Sequence, residues 1–130
     1  MKRAAYAILN PLFHGFHAVV IAFTVFGWWV PQLRLFHLLF ILATLACWYI
    51  VGLWLGLGWC PVTDLHWRIK AVLGEGRPQV TYIHFVISRL GLGWAASRVD
   101  RVVLATTLAV TALSIGLNVW SCLPPGSRAG

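Results

Sequence analysis

The chain has 130 residues, of which 60% are hydrophobic and only 10% are charged. An average soluble domain contains about 45–50% apolar and about 25% charged residues, so this composition excludes an ordinary water-soluble fold. The formal net charge is +7, yet the basic residues form no continuous run. The charge therefore indicates contact with a membrane surface, and nucleic acid is not an expected partner.

Three long segments contain no Asp, Glu, Lys or Arg, namely residues 4–33, 35–63 and 102–127. Each exceeds the roughly 20 residues that a transmembrane helix needs. Within a single membrane domain covering residues 1–130, they predict three transmembrane helices at about 7–30, 35–57 and 102–121. The expected fold is therefore an all-α membrane protein embedded in a lipid bilayer.

Residues 61–98 separate the second and third predicted spans and begin with a short amphipathic pattern. Thr63 is the expected N-cap and Gly74 the expected end of a helix that lies on the cytoplasmic surface. Its apolar face would consist of Leu65, Ile69 and Val72, while His66 and Lys70 would point away. The uncharged segment 78–88 that follows is too short to cross, so we expect it to be re-entrant or interfacial.

The basic residues predict the orientation of the chain. With three spans, eight of them share one side, namely Lys2, Arg3, Arg68, Lys70, Arg77, Arg89, Arg98 and Arg101. Only Arg34 and Arg128 lie on the other side. The positive-inside rule then predicts that the N-terminus lies in the cytoplasm. The alternative is a four-helix transmembrane bundle in which residues 78–95 also cross, but this weakens the charge bias to six against three.

Two of the predicted spans carry a polar stripe. At 100° per residue, the first stripe occupies an arc of about 80° and consists of Asn10, His14, His17 and Thr24. The stripe in the third span has a similar width and consists of Thr107, Thr111, Ser114, Asn118 and Ser121. Because polar groups are costly in hydrocarbon, both stripes are expected to turn inward, towards each other, a cavity or a partner protein.

Histidines in so apolar a chain are candidates for ligand binding, although they also serve as hydrogen-bonding links between helices. Haem b needs two histidines at similar depth on different helices. His17 and His37 differ in depth by about 16 Å and are rejected as a pair. The remaining cofactor-binding pair is His14 or His17 with His84, provided that residues 78–95 dip into the membrane.

Cys60 and His66, together with Asp64, are weaker candidates for a metal site on the cytoplasmic side. Their spacing matches no established zinc pattern, and a Cys-Pro pair at the end of a helix also acts as a stop signal. Three acidic residues, all outside the spans, argue against paired-carboxylate catalysis. We find no nucleophile motif, and the sequence therefore favours a non-enzymatic protein.

Several of these residues resemble the DUF2784 family of small bacterial membrane proteins. The resemblance covers about Leu12 to Leu90, and its most specific element reads Gly58-Trp59-Cys60-Pro61-Val62-Thr63, with Tyr82-Ile83-His84-Phe85 beyond it. The family's signature residues fall on His17, Cys60, Pro61, Thr63 and His84. Two acidic residues expected from the resemblance are missing, one before Cys60 and one at Ile83. The resemblance implies an architecture without a known activity.

The sequence favours two functions over a third, an enzyme or transporter that acts on a lipid-soluble substrate, for which it supplies no nucleophile and no acid–base pair. The first is a non-catalytic accessory or structural subunit of a larger bacterial membrane complex, such as an energy-transducing one, because the five polar residues of the third span need hydrogen-bond partners. The alternative is a redox module that binds haem, a metal ion or a quinone head group through its intramembrane histidines.

Overall fold

A computed structural model describes residues 2–76 and 81–124. The helices are α1 (Lys2–Phe26), α2 (Arg34–Ala46), α3 (Gly52–Leu55), α4 (Pro61–Leu73), α5 (Tyr82–Arg89) and α6 (Ala96–Cys122). Two short 3₁₀ turns (Gly27–Trp29 and Pro31–Leu33) connect α1 to α2, and a π-helical turn (Cys47–Val51) joins α2 to α3. The described residues contain no β-strand.

Three helical segments are long and apolar enough to cross a membrane: Ala4–Trp29, Pro31–Leu55 and Ala96–Cys122. The three predicted spans are thereby confirmed. The third begins six residues before the predicted start of 102, because the charged residues near Ala96 continue the same helix. α5 has only eight residues, which corresponds to a length of about 12 Å and is too short to span. The four-span alternative therefore has no fourth spanning helix in the described part.

The three spans meet in an antiparallel arrangement around His37. On one side, His37 of α2 contacts the backbone of Thr24 in α1. On the other, it contacts Ser114 of α6, and one turn away Asn118 donates to the backbone oxygen of Arg34. These contacts place the start of α2 beside the end of α6.

The chain reverses sharply after α3. Gly56 and Gly58 have φ values of +106° and +81°, a backbone region that other residues rarely adopt. The Gly58 N–H donates to the backbone oxygen of Trp48, 3.2 Å away, so the chain has turned back along the helix it just left. Pro61 then opens α4 at its first position, where a missing N–H costs nothing. The expectation that Thr63 is the N-cap is wrong, because Cys60 occupies that position.

α4 runs antiparallel to α1 and packs against its N-terminal half. Thr63 lies beside His17 and His66 lies beside Asn10. His17 is about 20 Å along α1 from Ala4, so α4 starts near the middle of the first span. The predicted helix after Cys60 and its end at Gly74 are confirmed. It is packed along a membrane span, however, and does not lie apart as a purely interfacial helix.

The face of α4 that packs against the rest of the chain is not the one formed by Leu65 and Val72. Leu65 and Val72 are 50% and 54% exposed, whereas His66 and Lys70 are buried, together with Trp67 and Ile69. The reason is that the polar residues of α4 find partners: Asn10 in α1 accepts from His66, and Glu75 pairs with Lys70. Hydrogen bonding thus decides which face of α4 turns inward, while Leu65 and Val72 remain exposed.

The interior of the described part is largely polar. Buried polar or charged side chains are His17, His37, His66, Lys70, Thr107, Thr111 and Ser114. The buried apolar ones are Ile41, Trp67, Ile69, Tyr82 and Val99. Most other apolar side chains face outward, as suits a protein whose solvent is lipid. The expectation that the stripes of the first and third spans turn inward is confirmed for most of their residues.

Parts of three sequence predictions lie outside the described residues. They are the first residues of the segment 78–95, the basic residue Arg77, and the C-terminal basic residue Arg128.

Candidate functional site

Four aromatic side chains pack together beside the N-terminal half of α1. We call them the histidine cluster: His14, His17, His66 and Tyr82. His17 stacks on Tyr82 with a centroid separation of 3.9 Å. The His66 ring lies 4.6 Å from His14 and 5.5 Å from His17. The cluster therefore joins α1, α4 and α5 at one place.

His17 connects the first span to the start of α4. Its Nδ1–H donates to the backbone oxygen of Phe13, 2.8 Å away, which leaves Nε2 as an acceptor. The hydroxyl of Thr63 lies 3.2 Å from that Nε2 and donates to it. Because His17 is buried, this bond holds the beginning of α4 against the middle of α1.

His66 is fully buried, with an exposed fraction of 0%. Its Nε2–H donates to the side-chain oxygen of Asn10, 2.9 Å away, whereas its Nδ1 has no hydrogen-bond partner among the described residues. Burial lowers the pKa of His66 to about 4, and the neighbouring His14, His17 and Lys70 reinforce this shift. His66 is therefore neutral at pH 7.

His14 faces Tyr82 on one side and an open cleft on the other. Its Nδ1 lies 2.9 Å from the Tyr82 hydroxyl, which is also 3.4 Å from the backbone oxygen of His14. Burial raises the pKa of Tyr82, so this phenol keeps its proton at neutral pH. The pair ties α5 to α1.

The cleft has a volume of about 420 Å³ and is lined by Asn10, His14, Lys70, Glu75, Phe85 and Arg89. Lys70 is only 3% exposed and donates to the carboxylate of Glu75. Its ammonium lies 5.2 Å from the centroid of the Phe85 ring, and the Arg89 guanidinium lies 5.3 Å from the same ring. The hydrogen bond from Lys70 lowers the pKa of Glu75, so this carboxylate is ionised at neutral pH. Two cations and one anion thus surround the cleft.

His84, which the sequence pairs with His14 or His17 as a haem ligand, lies elsewhere. It follows Tyr82 by two residues, which places it about 200° around α5 from the cluster. Its Nε2–H donates to the backbone oxygen of Trp94, 3.2 Å away. The structure brings His14 and His17 together with His66. The haem prediction pairs them with His84 and does not include His66.

The three weaker metal candidates each make a different contact and do not face a common point. Cys60 caps the start of α4, Asp64 pairs with Arg68 at 2.8 Å, and His66 bonds to Asn10. Within residues 2–76 and 81–124, no three His, Cys, Asp or Glu side chains are placed to hold a metal ion together. A zinc site on Cys60, Asp64 and His66 has no support in this geometry.

His37 has a structural position that the sequence did not reveal. Its Nε2–H donates to the backbone oxygen of Thr24, and the Ser114 hydroxyl donates to its Nδ1, both at 3.0 Å. The only sequence signal was that His37 and Ser114 each lie near the same end of a span. The depth of His37 in the membrane is the reason that it is rejected as a haem partner of His17. The same depth explains why it contacts Ser114.

The polar stripe of α6 finds its hydrogen-bond partners within the chain. Thr107, Thr111 and Ser121 donate to backbone oxygens four residues earlier in α6. Asn118 donates to the backbone oxygens of Ser114 and Arg34, while Ser114 bonds to His37. Of the alternatives that the sequence leaves open for this stripe, a partner protein is not required by these five side chains, because each has a hydrogen-bond partner within the chain.

Comparison with known proteins identifies the family. Residues 7–119 match the model of a family described as a protein of unknown function, DUF2784. The chain belongs to the DUF2784 family. No curated protein and no solved structure matches the chain. The residues that the sequence analysis expects to be the family signature have distinct positions in the fold: His17 bonds to Thr63, Cys60 and Pro61 start α4, and His84 donates to the backbone after α5.

Proposed function

We propose that the protein is a non-catalytic accessory subunit of a larger membrane complex. The observation that supports this proposal is a pair of hydroxyl groups on the outer surface of the spans. Tyr49 is 41% exposed and Thr106 is also exposed. In the part of the chain that the structure describes, neither hydroxyl has a hydrogen-bond partner.

Both groups lie inside their spans, about one and a half helical turns from the nearer end of the apolar segment. Tyr49 is about 9 Å from Leu55, and Thr106 is about 8 Å from Arg101, measured along the helices. A hydroxyl that faces hydrocarbon without a partner is unfavourable. A neighbouring membrane helix could supply the missing acceptor, as polar residues commonly do between spans.

The histidines fit the same role. His17, His37 and His66 each use at least one ring nitrogen to connect two segments of the chain. Such bonds stabilise the fold and do not require a reaction. The proposal puts the protein in the inner membrane of a bacterium with its N-terminus in the cytoplasm, which the distribution of basic residues supports.

The proposal is tested by mild-detergent purification and identification of the proteins that co-purify. The affinity of the double variant Tyr49→Phe, Thr106→Val for the partner should fall about eightfold, since the variant loses two hydrogen bonds, each worth about 0.6 kcal/mol in a membrane. The matched control is Tyr6→Phe, Thr111→Val, which removes the same atoms from a helix end and from an inward position. Equal partner recovery in both variants, or a wild-type protein that purifies alone, would contradict the proposal.

A second candidate function is a redox module that binds haem b or a quinone head group. It is favoured by His14, which lines the cleft and whose Nε2 has no hydrogen-bond partner among the described residues. The cleft volume of about 420 Å³ is within the range of small-molecule sites.

An optical spectrum and solvent extraction of the purified protein test this second candidate. A Soret band or an extractable quinone that is lost in His14→Ala and retained in His84→Ala would support it. A colourless preparation without quinone would exclude it.

A further inference from the structure

The cleft beside the histidine cluster has a chemical character that the accessory role does not explain. Its charged residues are Lys70, Arg89 and Glu75, which leave one excess positive charge. Glu75 is one of only three acidic residues in the chain. Phe85 forms an apolar wall beside the two cations, and Asn10 and His14 add neutral hydrogen-bonding groups.

Lys70 is an unusual member of this site because it is almost completely buried. A buried ammonium needs a compensating negative charge, which Glu75 supplies. The Glu75 side chain is itself 42% exposed. An anion that entered the cleft could therefore share Lys70 with Glu75 while Arg89, which is exposed, closes over it.

The position of the cleft indicates the source of such an anion. Asn10 lies about 9 Å along α1 from Ala4, the first residue of the span. This is close to the depth at which phospholipid head groups meet the hydrocarbon. Basic pockets at such positions between membrane helices commonly receive anionic head groups.

We propose that this cleft binds the phosphate group of an anionic phospholipid. Lys70 and Arg89 neutralise the phosphate, Asn10 and His14 offer hydrogen bonds to its oxygens, and Phe85 contacts the adjoining glycerol. This inference is independent of the accessory role, since a subunit with or without a partner can carry a bound lipid.

Native mass spectrometry of the full chain, titrated with phosphatidylglycerol or phosphatidylcholine, tests the proposal. Arg89→Gln should weaken phosphatidylglycerol binding about fivefold, the effect of one basic residue near a membrane surface. Glu75→Gln should strengthen it by about the same factor, because the competing carboxylate is gone. The matched control is Arg101→Gln, an exposed arginine that does not line the cleft.

Competition with inorganic phosphate shows whether the cleft recognises free phosphate or only the phosphate group of a lipid. If it displaces phosphatidylglycerol at millimolar concentration, the site recognises phosphate itself, whether free or lipid-bound. If it does not, while phosphatidylglycerol still binds better than phosphatidylcholine, the lipid is the ligand. Equal binding of both lipids, an Arg89→Gln variant that behaves like Arg101→Gln, or weaker binding by Glu75→Gln would overturn the proposal.

Discussion

His37 illustrates how one neutral side chain connects three membrane helices. It is fully buried, and its two ring nitrogens bond to α1 and α6. In hydrocarbon there is no driving force for apolar surfaces to associate, so such hydrogen bonds and close packing determine which helices meet. His37 therefore matters for the arrangement of the spans.

His37→Leu is expected to destabilise the protein by about 1–3 kcal/mol, because it removes two bonds between helices and leaves Ser114 unpaired. Unfolding in a mixed detergent, followed by circular dichroism, measures this change. A double-mutant cycle with Ser114→Ala should show a coupling of about 0.5–1.5 kcal/mol. Additive effects of the two substitutions would show that the bond contributes nothing.

The free energy of unfolding should depend on pH through the protonation of His66. Its pKa is about 4 in the folded protein against an ordinary value of 6.5, chiefly because of burial. As the pH falls below 6.5 the unfolded chain takes up a proton that the folded chain does not, so stability is constant above that pH and decreases between pH 6.5 and 4.

Thermal unfolding at pH 7 and pH 5 measures this loss, and His66→Gln should make it shallower. Glu75 changes the stability only below about pH 4.5, so it does not affect the comparison of pH 7 with pH 5. A histidine signal for His66 that titrates near pH 6.5 in the folded protein would refute the prediction.

At the scale of single elements, the turn between α1 and α2 depends on Gly27. A Cβ atom there would lie 2.7 Å from Cδ2 of His37 and 2.8 Å from the Phe23 ring. His37 is held at both nitrogens and cannot move aside without losing a bond. The close approach of the first two spans therefore requires a residue without a side chain.

Gly27→Ala should destabilise the protein by about 1–3 kcal/mol, the usual cost of overpacking. Gly116→Ala in α6 is the matched control, because a Cβ atom there has no neighbour within 4 Å. It should be neutral or stabilising by up to about 1 kcal/mol, since alanine favours the helix. Detergent unfolding of both variants measures the difference, and similar values for the two would contradict this account.

α4 shows where prediction from periodicity fails at this scale. The spacing of Leu65, Ile69 and Val72 predicts an apolar face with His66 and Lys70 pointing away from it, and the predicted end at Gly74 is confirmed. The buried face, however, contains His66 and Lys70 as well as Trp67 and Ile69, because His66 meets Asn10, a residue 56 positions earlier in the chain. Periodicity identifies the two faces of a helix, but the partner decides which face is buried.

For the whole molecule, the distribution of basic residues still predicts that the N-terminal end of the helix bundle faces the cytoplasm. In a variant whose three cysteines are replaced, a cysteine at Gly76 should react with a membrane-impermeant maleimide only in inverted vesicles. A cysteine at Gln32 should react in whole cells. The reverse pattern would overturn the orientation, and it would also place the phosphate cleft in the outer leaflet.

The sequence by itself determined the number of spans, their approximate limits, the inward direction of two polar stripes and the family. These properties depend on local free energies: the transfer of each segment into lipid, and the cost of polar groups that face hydrocarbon. They can be read from length, charge and helical period without knowledge of the neighbours.

Only the tertiary structure decided which histidines meet. The reversal at Gly56 and Gly58 sends α4 back along α1, which brings His66 to His14 and leaves His84 on the far side of α5. The packing of α2 against α6 also supplies partners within the chain for Ser114 and Asn118, whereas the sequence left open whether the α6 stripe meets another helix, a cavity or a partner protein. Such contacts join residues far apart in the chain, and their geometry depends on how the turns position each helix, a property that composition and periodicity do not contain.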